Sequence, residues 1–187
     1  PVAHGRNVFL SIPLSALGVA GLVVTSGELT TFNVYAGFIS ALLIWGWIEL
    51  AFLAGVITGP ERRPCPAGLR GMDRFNRAWL TVSYHELLLL FALLIITVIT
   101  TQAENTIGFW SYGVLFVARI SAKLNLFFGV PRINTEFVPR PLEHIKSYFR
   151  KGPITLAFPI GVTALSVMAA ISAEAMLSAD TAPAVTG

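Results

Sequence analysis

Charged residues and cysteine are both scarce in this sequence. Charged side chains make up 12% of the 187 residues, whereas 55% are hydrophobic, which is more apolar than a water-soluble domain with a single core tolerates. Cys65 is the only cysteine, so a disulfide framework is excluded and a reduced thiol without a special role is expected. The composition therefore predicts an integral membrane protein.

The residue types of common catalytic sites are also few. The three histidines, His4, His85 and His144, are far apart and lack the Glu-x-x-His spacing of membrane di-iron enzymes. The two aspartates, Asp73 and Asp180, fall on opposite predicted faces of the membrane, and no Gly-x-Ser-x-Gly is present. Phosphate-binding loops and paired-cysteine metal sites are absent as well. We expect neither an enzyme nor a metal centre.

Basic residues are missing from one side of the membrane that the sequence defines. Five apolar stretches are each about 19 residues or longer, enough to cross ~30 Å of hydrocarbon as helix. They lie at about 8–26, 33–58, 80–101, 107–129 and 153–177. Threading them alternately through a bilayer puts all thirteen Lys and Arg residues on one side and only acids on the other. By the positive-inside rule the basic side is cytoplasmic.

The predicted fold is an all-α, polytopic membrane helical bundle forming one domain over residues 1–177. Segments 59–79 and 130–152 are expected to be cytoplasmic, and 178–187 to be a flexible periplasmic tail. Segment 59–71 is too rich in proline and glycine to be helical. Near 142–151 apolar residues recur at helical spacing opposite charges, which predicts a short amphipathic cytoplasmic helix.

The exposed cations of these cytoplasmic segments are expected to contact anionic lipid headgroups or a partner protein. Nucleic acid is not an expected partner. The candidates are Arg62, Arg63, Arg74, Arg77, Arg140, Lys146, Arg150 and Lys151.

Inside the spans, five polar residues form a candidate intramembrane cluster: Glu49, Glu86, Arg119, Lys123 and Asn125. The two carboxylates and two cations fall at one depth near the basic side, so the set can neutralise itself. Arg119 and Lys123 are four residues apart and are expected to face the same neighbouring helix. One interpretation is a pair of interhelical ion pairs that fix helix register. The other is a polar pocket for a headgroup, a pigment carbonyl or a proton.

His85 has two interpretations. A neutral imidazole in apolar surroundings can ligate the magnesium of bacteriochlorophyll or a haem iron. It can equally be a hydrogen-bonded core histidine. Glu86 adds little to the ligand hypothesis, because adjacent helical residues project in different directions.

Several segments carry a family resemblance, and they are 45–60 (WGWIELAFLAGVITGP), 63–66 (RPCP), 84–86 (YHE), 119–131 (RISAKLNLFFGVP) and 146–150 (KSYFR). In these segments the chain resembles the photosynthetic complex assembly proteins of the PuhE type. The resemblance runs from about Phe38 to Pro159, and the Ser-Ala-Lys-Leu-Asn block is its most specific part.

The resemblance implies a multi-pass protein of the inner, intracytoplasmic photosynthetic membrane of purple bacteria, with one further span before Pro1. It also implies the reaction-centre and light-harvesting 1 subunits as partners, and it transfers no catalytic residue. Our first hypothesis is a non-catalytic assembly factor or accessory subunit of that complex. The alternative is a protein that binds or delivers bacteriochlorophyll or carotenoid through His85 and the polar cluster; bound phospholipid is a further candidate ligand. A membrane enzyme acting on tetrapyrrole or lipid is the least supported hypothesis.

Overall fold

The apolar stretches fold as helices joined by short connections at one end of the molecule and long ones at the other. A computed structural model describes residues 2–180, and within them the regular structure is helical apart from one isolated parallel bridge between Val130 and Lys151. The α-helices are α1 (Val2–Leu10), α2 (Ile12–Thr25), α3 (Thr31–Leu53), α4 (Gly71–Thr100), α5 (Ile107–Phe128) and α6 (Ala157–Asp180). A 3₁₀ helix spans Arg140–Tyr148.

Three helical segments are long and apolar enough to cross a membrane: Gly5–Thr25, Thr31–Leu53 and Gly71–Thr100. This confirms membrane-helix character but not all five predicted spans. Helix α5 occupies the predicted place, yet Arg119 and Lys123 in its second half lower its apolar content. In α6 the apolar stretch among the residues whose side chains are described is Ala157–Ser172.

Several predicted boundaries were wrong for local reasons. The first span is broken at Ser11, where Pro13 near the start of α2 supplies no backbone N–H. The second ends at Leu53 instead of 58, and the following turn contains Gly55 at φ +74°. Helix α4 begins at Gly71, so the predicted span 80–101 is the later part of a longer helix. Helix α6 starts at Ala157 and extends to Asp180, into the predicted tail, whose remaining residues 181–187 lie outside the described part of the chain.

The predicted amphipathic helix at 142–151 is instead the 3₁₀ helix Arg140–Tyr148. Its buried side chains are Leu142, Ile145 and Tyr148, which recur every three residues. A helix with three residues per turn stacks such residues directly above one another, whereas an α-helix would spread the three over about 120° of its surface. Lys151 is outside it and pairs with Val130 in the isolated bridge.

Helix α3 lies at the centre of the bundle and contacts α2, α4 and α5. The main core is apolar and comprises Leu22, Ala41, Ile44, Ile48, Leu89, Ala92, Ile96 and Tyr112. The Tyr112 hydroxyl donates a hydrogen bond to the Leu89 carbonyl (3.1 Å), which ties α5 to α4. At the end with short connections, Asn105 donates to the carbonyls of Thr25 (3.0 Å) and Asn33 (2.8 Å).

At the other end, the connection after α3 runs directly against the backbone of α4. The His85 N–H donates to the Thr58 carbonyl (3.1 Å), and the Glu61 N–H donates to the Leu80 carbonyl (3.2 Å). Gly59 lies between these two bonds, and a Cβ there would collide with the Leu80 carbonyl and approach Thr81 C at 2.8 Å. The close approach therefore requires glycine at position 59.

Replacing Gly59 with alanine should destabilise the chain by about 1–3 kcal/mol, because the obstacle is backbone that cannot rotate away. The measurement is the apparent melting temperature of the purified chain in detergent. Gly113→Ala in α5 is the matched control: a Cβ there meets no heavy atom within 4 Å, and alanine favours helix. Equal melting temperatures for Gly59→Ala and the wild type would contradict the close approach.

Candidate functional site

Five ionisable side chains from three helices meet near the basic end of the bundle, and we call them the charged cluster: Glu49, His85, Glu86, Arg119 and Lys123. Arg119 Nη2 lies 2.9 Å from Glu49 Oε2, linking α5 to α3. The Lys123 ammonium forms an ion pair with Glu86 Oε1, linking α5 to α4. His85 lies between the pairs, with Nδ1 3.1 Å from Lys123 Nζ and Nε2 3.5 Å from Glu49 Oε1.

The charged cluster is largely shielded from solvent. The side chain of His85 has no exposed surface and that of Glu86 is 4% exposed, while Lys123 and Arg119 retain 22% and 29%. Charges in such a setting cost several kcal/mol unless they are paired. Two carboxylates and two cations at contact distance meet that condition.

Arg119 and Lys123 face one common neighbour, as predicted: Arg119 Cζ and Lys123 Nζ lie 5.5 Å and 5.0 Å from the ring centroid of Phe52 on α3. Their carboxylate partners lie on different helices, since Arg119 pairs with α3 and Lys123 with α4. Phe52 also packs on the His85 ring at 4.2 Å. Sequence reasoning missed Phe52, although it follows Glu49 by three residues and therefore lies on the same face of α3.

Asn125 does not join the charged cluster. Its Nδ2 donates to the Ser121 carbonyl of its own helix at 2.9 Å. Two residues after Lys123, it is rotated by about 200° around α5. The other four predicted cluster residues are brought together.

The surroundings of His85 bear on its predicted role as a bacteriochlorophyll ligand. Both ring nitrogens face side chains of the charged cluster, one ring face is covered by Phe52, and the side chain is fully buried. A macrocycle needs an unobstructed nitrogen with space on the metal side. This geometry favours the core histidine, with Nδ1 at hydrogen-bonding distance from Lys123 and Glu86 and with Nε2 lacking a hydrogen-bond partner among the described residues.

Next to the charged cluster lies a cavity of about 340 Å³, which we call the basal cavity. It is enclosed by the end of α3, the first turns of α4, the last turns of α5 and the segment 134–149. Its lining is mainly apolar, and its polar lining includes Glu86, Arg119 and Lys123. Arg119 Nε and Glu86 Oε2 are buried and have no hydrogen-bond partner among the residues described.

The basic residues predicted to contact lipid or a partner have different environments. Arg74 is half-buried and bonds within the chain: it donates to the carbonyls of Phe127 (3.3 Å) and Tyr148, and lies 4.3 Å from the Phe127 ring centroid. Arg77 and Lys146 each lie 3.5 Å from an acid, Glu61 and Glu143 respectively. The remaining predicted contacts are exposed: Arg62, Arg63, Arg140, Arg150 and Lys151.

Comparison with known proteins assigns the family. A family model described as "Protein of unknown function (DUF3623)" matches residues 1–186. The chain belongs to this family. It is also 42% identical over 164 residues to a Rhodobacter capsulatus protein described as "Uncharacterized 30.4 kDa protein in puhA 5'region". The match covers 88% of the chain and 60% of the relative's length, and no solved structure matches.

The relative's description places it in the 5′ region of puhA, and the family's description gives no function. They leave the narrower PuhE-type assignment a prediction.

Removing one partner of the Lys123–Glu86 pair should be costly. Glu86→Gln leaves the ammonium without its carboxylate, so the free energy of unfolding should fall by about 3–5 kcal/mol. In the double variant Glu86→Gln/Lys123→Met, which has neither charge, we expect much of that loss to be recovered. Denaturation in detergent micelles measures the free energy of unfolding of the single and the double variant.

Lys146→Met is the matched control for this pair, because its exposed partner Glu143 contributes less than about 1 kcal/mol. Additive effects of Glu86→Gln and Lys123→Met would contradict a direct ion pair.

His144 should make stability depend on pH. Burial and then the positive charge of Arg62 hold the pKa of His144 below its ordinary value, which is about 6.5. The unfolded chain therefore binds this proton more tightly, so the contribution is present above pH ~6.5 and is lost as the pH falls below it. Melting temperatures between pH 7.5 and 5 should fall less steeply for His144→Gln than for the wild type. Parallel curves would contradict the assignment.

Proposed function

We propose that this protein is a non-catalytic assembly factor or accessory subunit of the bacterial photosynthetic reaction centre–light-harvesting 1 complex. The observation that carries the proposal is the 42% identity to the Rhodobacter capsulatus protein of the puhA 5′ region, a photosynthesis gene region. The chain spans 60% of that relative's length. Extending any activity of the whole relative to this chain is therefore itself part of the proposal. The resemblance of the 121–125 block to photosynthetic assembly proteins supports the same conclusion.

The proposed location is the inner, intracytoplasmic membrane, crossed five times. In this arrangement the connections 54–70 and 129–156 are cytoplasmic and the C-terminus is periplasmic. The distribution of Lys and Arg supports this orientation.

The geometry of the charged cluster supports a structural role for its residues and not a pathway for protons or ions. Its four charged side chains pair with one another across α3, α4 and α5. Such pairing fixes the rotation and height of three helices and leaves their other faces free for partners.

Helix α4 offers the surface that fits docking in the membrane best. A stripe of exposed side chains follows its length at alternating spacings of three and four residues: Tyr84, Leu87, Phe91, Leu94 and Val98. We call this the α4 stripe. Such spacing is the pattern with which two helices pack side by side. At the basic end, exposed Arg62, Arg63, Arg140 and Arg150 suit anionic headgroups or acidic segments of a subunit.

Copurification tests the proposal. The tagged full chain is expressed in Rhodobacter capsulatus that lacks the related protein, and solubilised membranes are analysed for reaction-centre subunits and for near-infrared core-complex absorbance. We expect the subunits to copurify and the absorbance to be restored. Replacing Leu87, Phe91 and Leu94 by alanine should reduce copurification about tenfold, because packing contacts are lost while the helix stays apolar.

The matched control is alanine at three exposed apolar positions of α2: Leu14, Leu17 and Val24. Both variants must accumulate to wild-type levels by immunoblotting. Absence of reaction-centre subunits from the wild-type eluate, with unrestored absorbance, would refute the docking function.

The chain purified away from reaction-centre and light-harvesting subunits tests the alternative of a pigment-handling protein. Bacteriochlorophyll or carotenoid in stoichiometric amount, with bacteriochlorophyll lost in His85→Leu, would favour it over docking. The enclosure of His85 by Phe52 and the charged cluster supports a colourless protein.

A further inference from the structure

The basal cavity combines three properties that the docking function does not use. It is apolar along most of its lining, and it carries buried hydrogen-bonding atoms without partners. Two of its lining residues, Phe127 and Tyr148, accept hydrogen bonds from Arg74, which forms no ion pair with a carboxylate among residues 2–180. Each property constrains the chemistry of a ligand.

The volume and lining indicate a hydrocarbon chain. At about 340 Å³ the cavity is at the lower end of the ~300–1,000 Å³ range of ligand sites. This volume is enough for the glycerol ester region of a lipid and the first part of one acyl chain. Its aromatic lining includes Phe52, buried against the bundle, and Trp79 and Phe137, which are exposed. A ligand chain can therefore continue past these two exposed rings into the surrounding lipid.

Of the two unpartnered atoms on cavity-lining side chains, Arg119 Nε is the donor and indicates a hydrogen-bond acceptor on the ligand. Arg119 uses Nη2 for Glu49, while its Nε–H is buried and bonds to nothing in residues 2–180. A buried donor without an acceptor costs about 1–3 kcal/mol. An uncharged carbonyl satisfies Nε–H without upsetting the neutral charged cluster, which makes an ester a better match than a second carboxylate.

An arginine bonded to two residues of the cavity lining indicates a phosphate group on the ligand. Arg74 bonds to the carbonyls of Phe127 and Tyr148, both of which line the cavity. Over the described part of the chain no carboxylate forms an ion pair with it, so its positive charge is available. Guanidinium groups bind phosphate oxygens with strong, charge-assisted hydrogen bonds.

We propose that the basal cavity binds one anionic glycerophospholipid, with an acyl chain in the apolar part, its ester carbonyl at Arg119 Nε and its phosphate at Arg74. The cavity lies at the end of the bundle that carries the basic connections, where the glycerol esters of an anionic leaflet lie if the helices cross the membrane. Lipid binding stands independently of docking on a photosynthetic complex, because it concerns the purified chain.

Photocrosslinking tests the site directly. The full chain is placed in phosphatidylcholine nanodiscs containing a small fraction of phosphatidylglycerol with a diazirine in one acyl chain. After irradiation, labelled peptides are mapped by mass spectrometry. We expect labels on cavity residues such as Phe52, Ile145 and Phe149, and competition by unlabelled phosphatidylglycerol. Labelling spread evenly over the exposed faces of α2 and α4 would refute the site.

Matched variants separate the cavity from the surface. Ala78 lines the cavity, whereas Ala122 is exposed on α5 outside it. Ala78→Trp should abolish labelling of cavity peptides, and Ala122→Trp should leave it unchanged. Arg119→Lys keeps a cation for Glu49 but lacks Nε–H, so labelling should fall about fivefold. Equal labelling of wild type and folded Ala78→Trp would overturn the proposal. Should Ala78→Trp fail to fold, unchanged labelling of folded Arg119→Lys would overturn it.

The headgroup has its own control. Arg74→Gln should remove the preference for phosphatidylglycerol over phosphatidylcholine as competitor, whereas Arg63→Gln on the exposed connection should preserve it. Displacement of the probe by ubiquinone but not by phosphatidylglycerol would identify a quinone carbonyl as the ligand and overturn the phospholipid assignment.

Discussion

The structure depends on the mutual neutralisation of two carboxylates and two cations among apolar helices. Unpaired, each of these charges would cost at least a few kcal/mol at this depth. Paired, they require α3, α4 and α5 to adopt one relative rotation and height, because Glu49 must meet Arg119 while Glu86 meets Lys123. His85 and Phe52 fill the space between the pairs. Ion pairs of this kind specify an arrangement more than they stabilise it.

The basic end of the molecule is built around this constraint. The connection after α3 contacts α4 through backbone hydrogen bonds on both sides of Gly59. The 3₁₀ helix packs Leu142, Ile145 and Tyr148 towards the bundle, and Arg74 joins α4 to the ends of α5 and the 3₁₀ helix. These contacts enclose the basal cavity beside the charged cluster. The apolar cavity at this end suits contact with a lipid, and the exposed cations suit contact with headgroups or with a membrane complex.

The two sides of α4 have different parts in the proposed role. His85, Glu86 and Leu89 face inward, where they meet α3 and α5, and the α4 stripe faces outward. The inward side supplies residues of the charged cluster, and in the proposed role the outward side packs against helices of a partner. Buried charges and a proposed docking surface therefore fit on one helix.

The helical fold, the apolar segments, the basic end and the pairing of two acids with two bases could be read from the sequence, because hydropathy and charge cost act locally along the chain. The same reasoning placed Asn125 in the cluster and set His85 apart from Glu86. Sequence reasoning gives only the angular position of each residue on its own helix, so it does not show which side chains meet between helices. Tertiary structure decided that Arg119 and Lys123 reach different helices, that Arg74 is held inside, and that residues 140–148 wind as 3₁₀. It also decided that a cavity forms. Each depends on distances between helices, which follow from side-chain packing and backbone approach across the bundle.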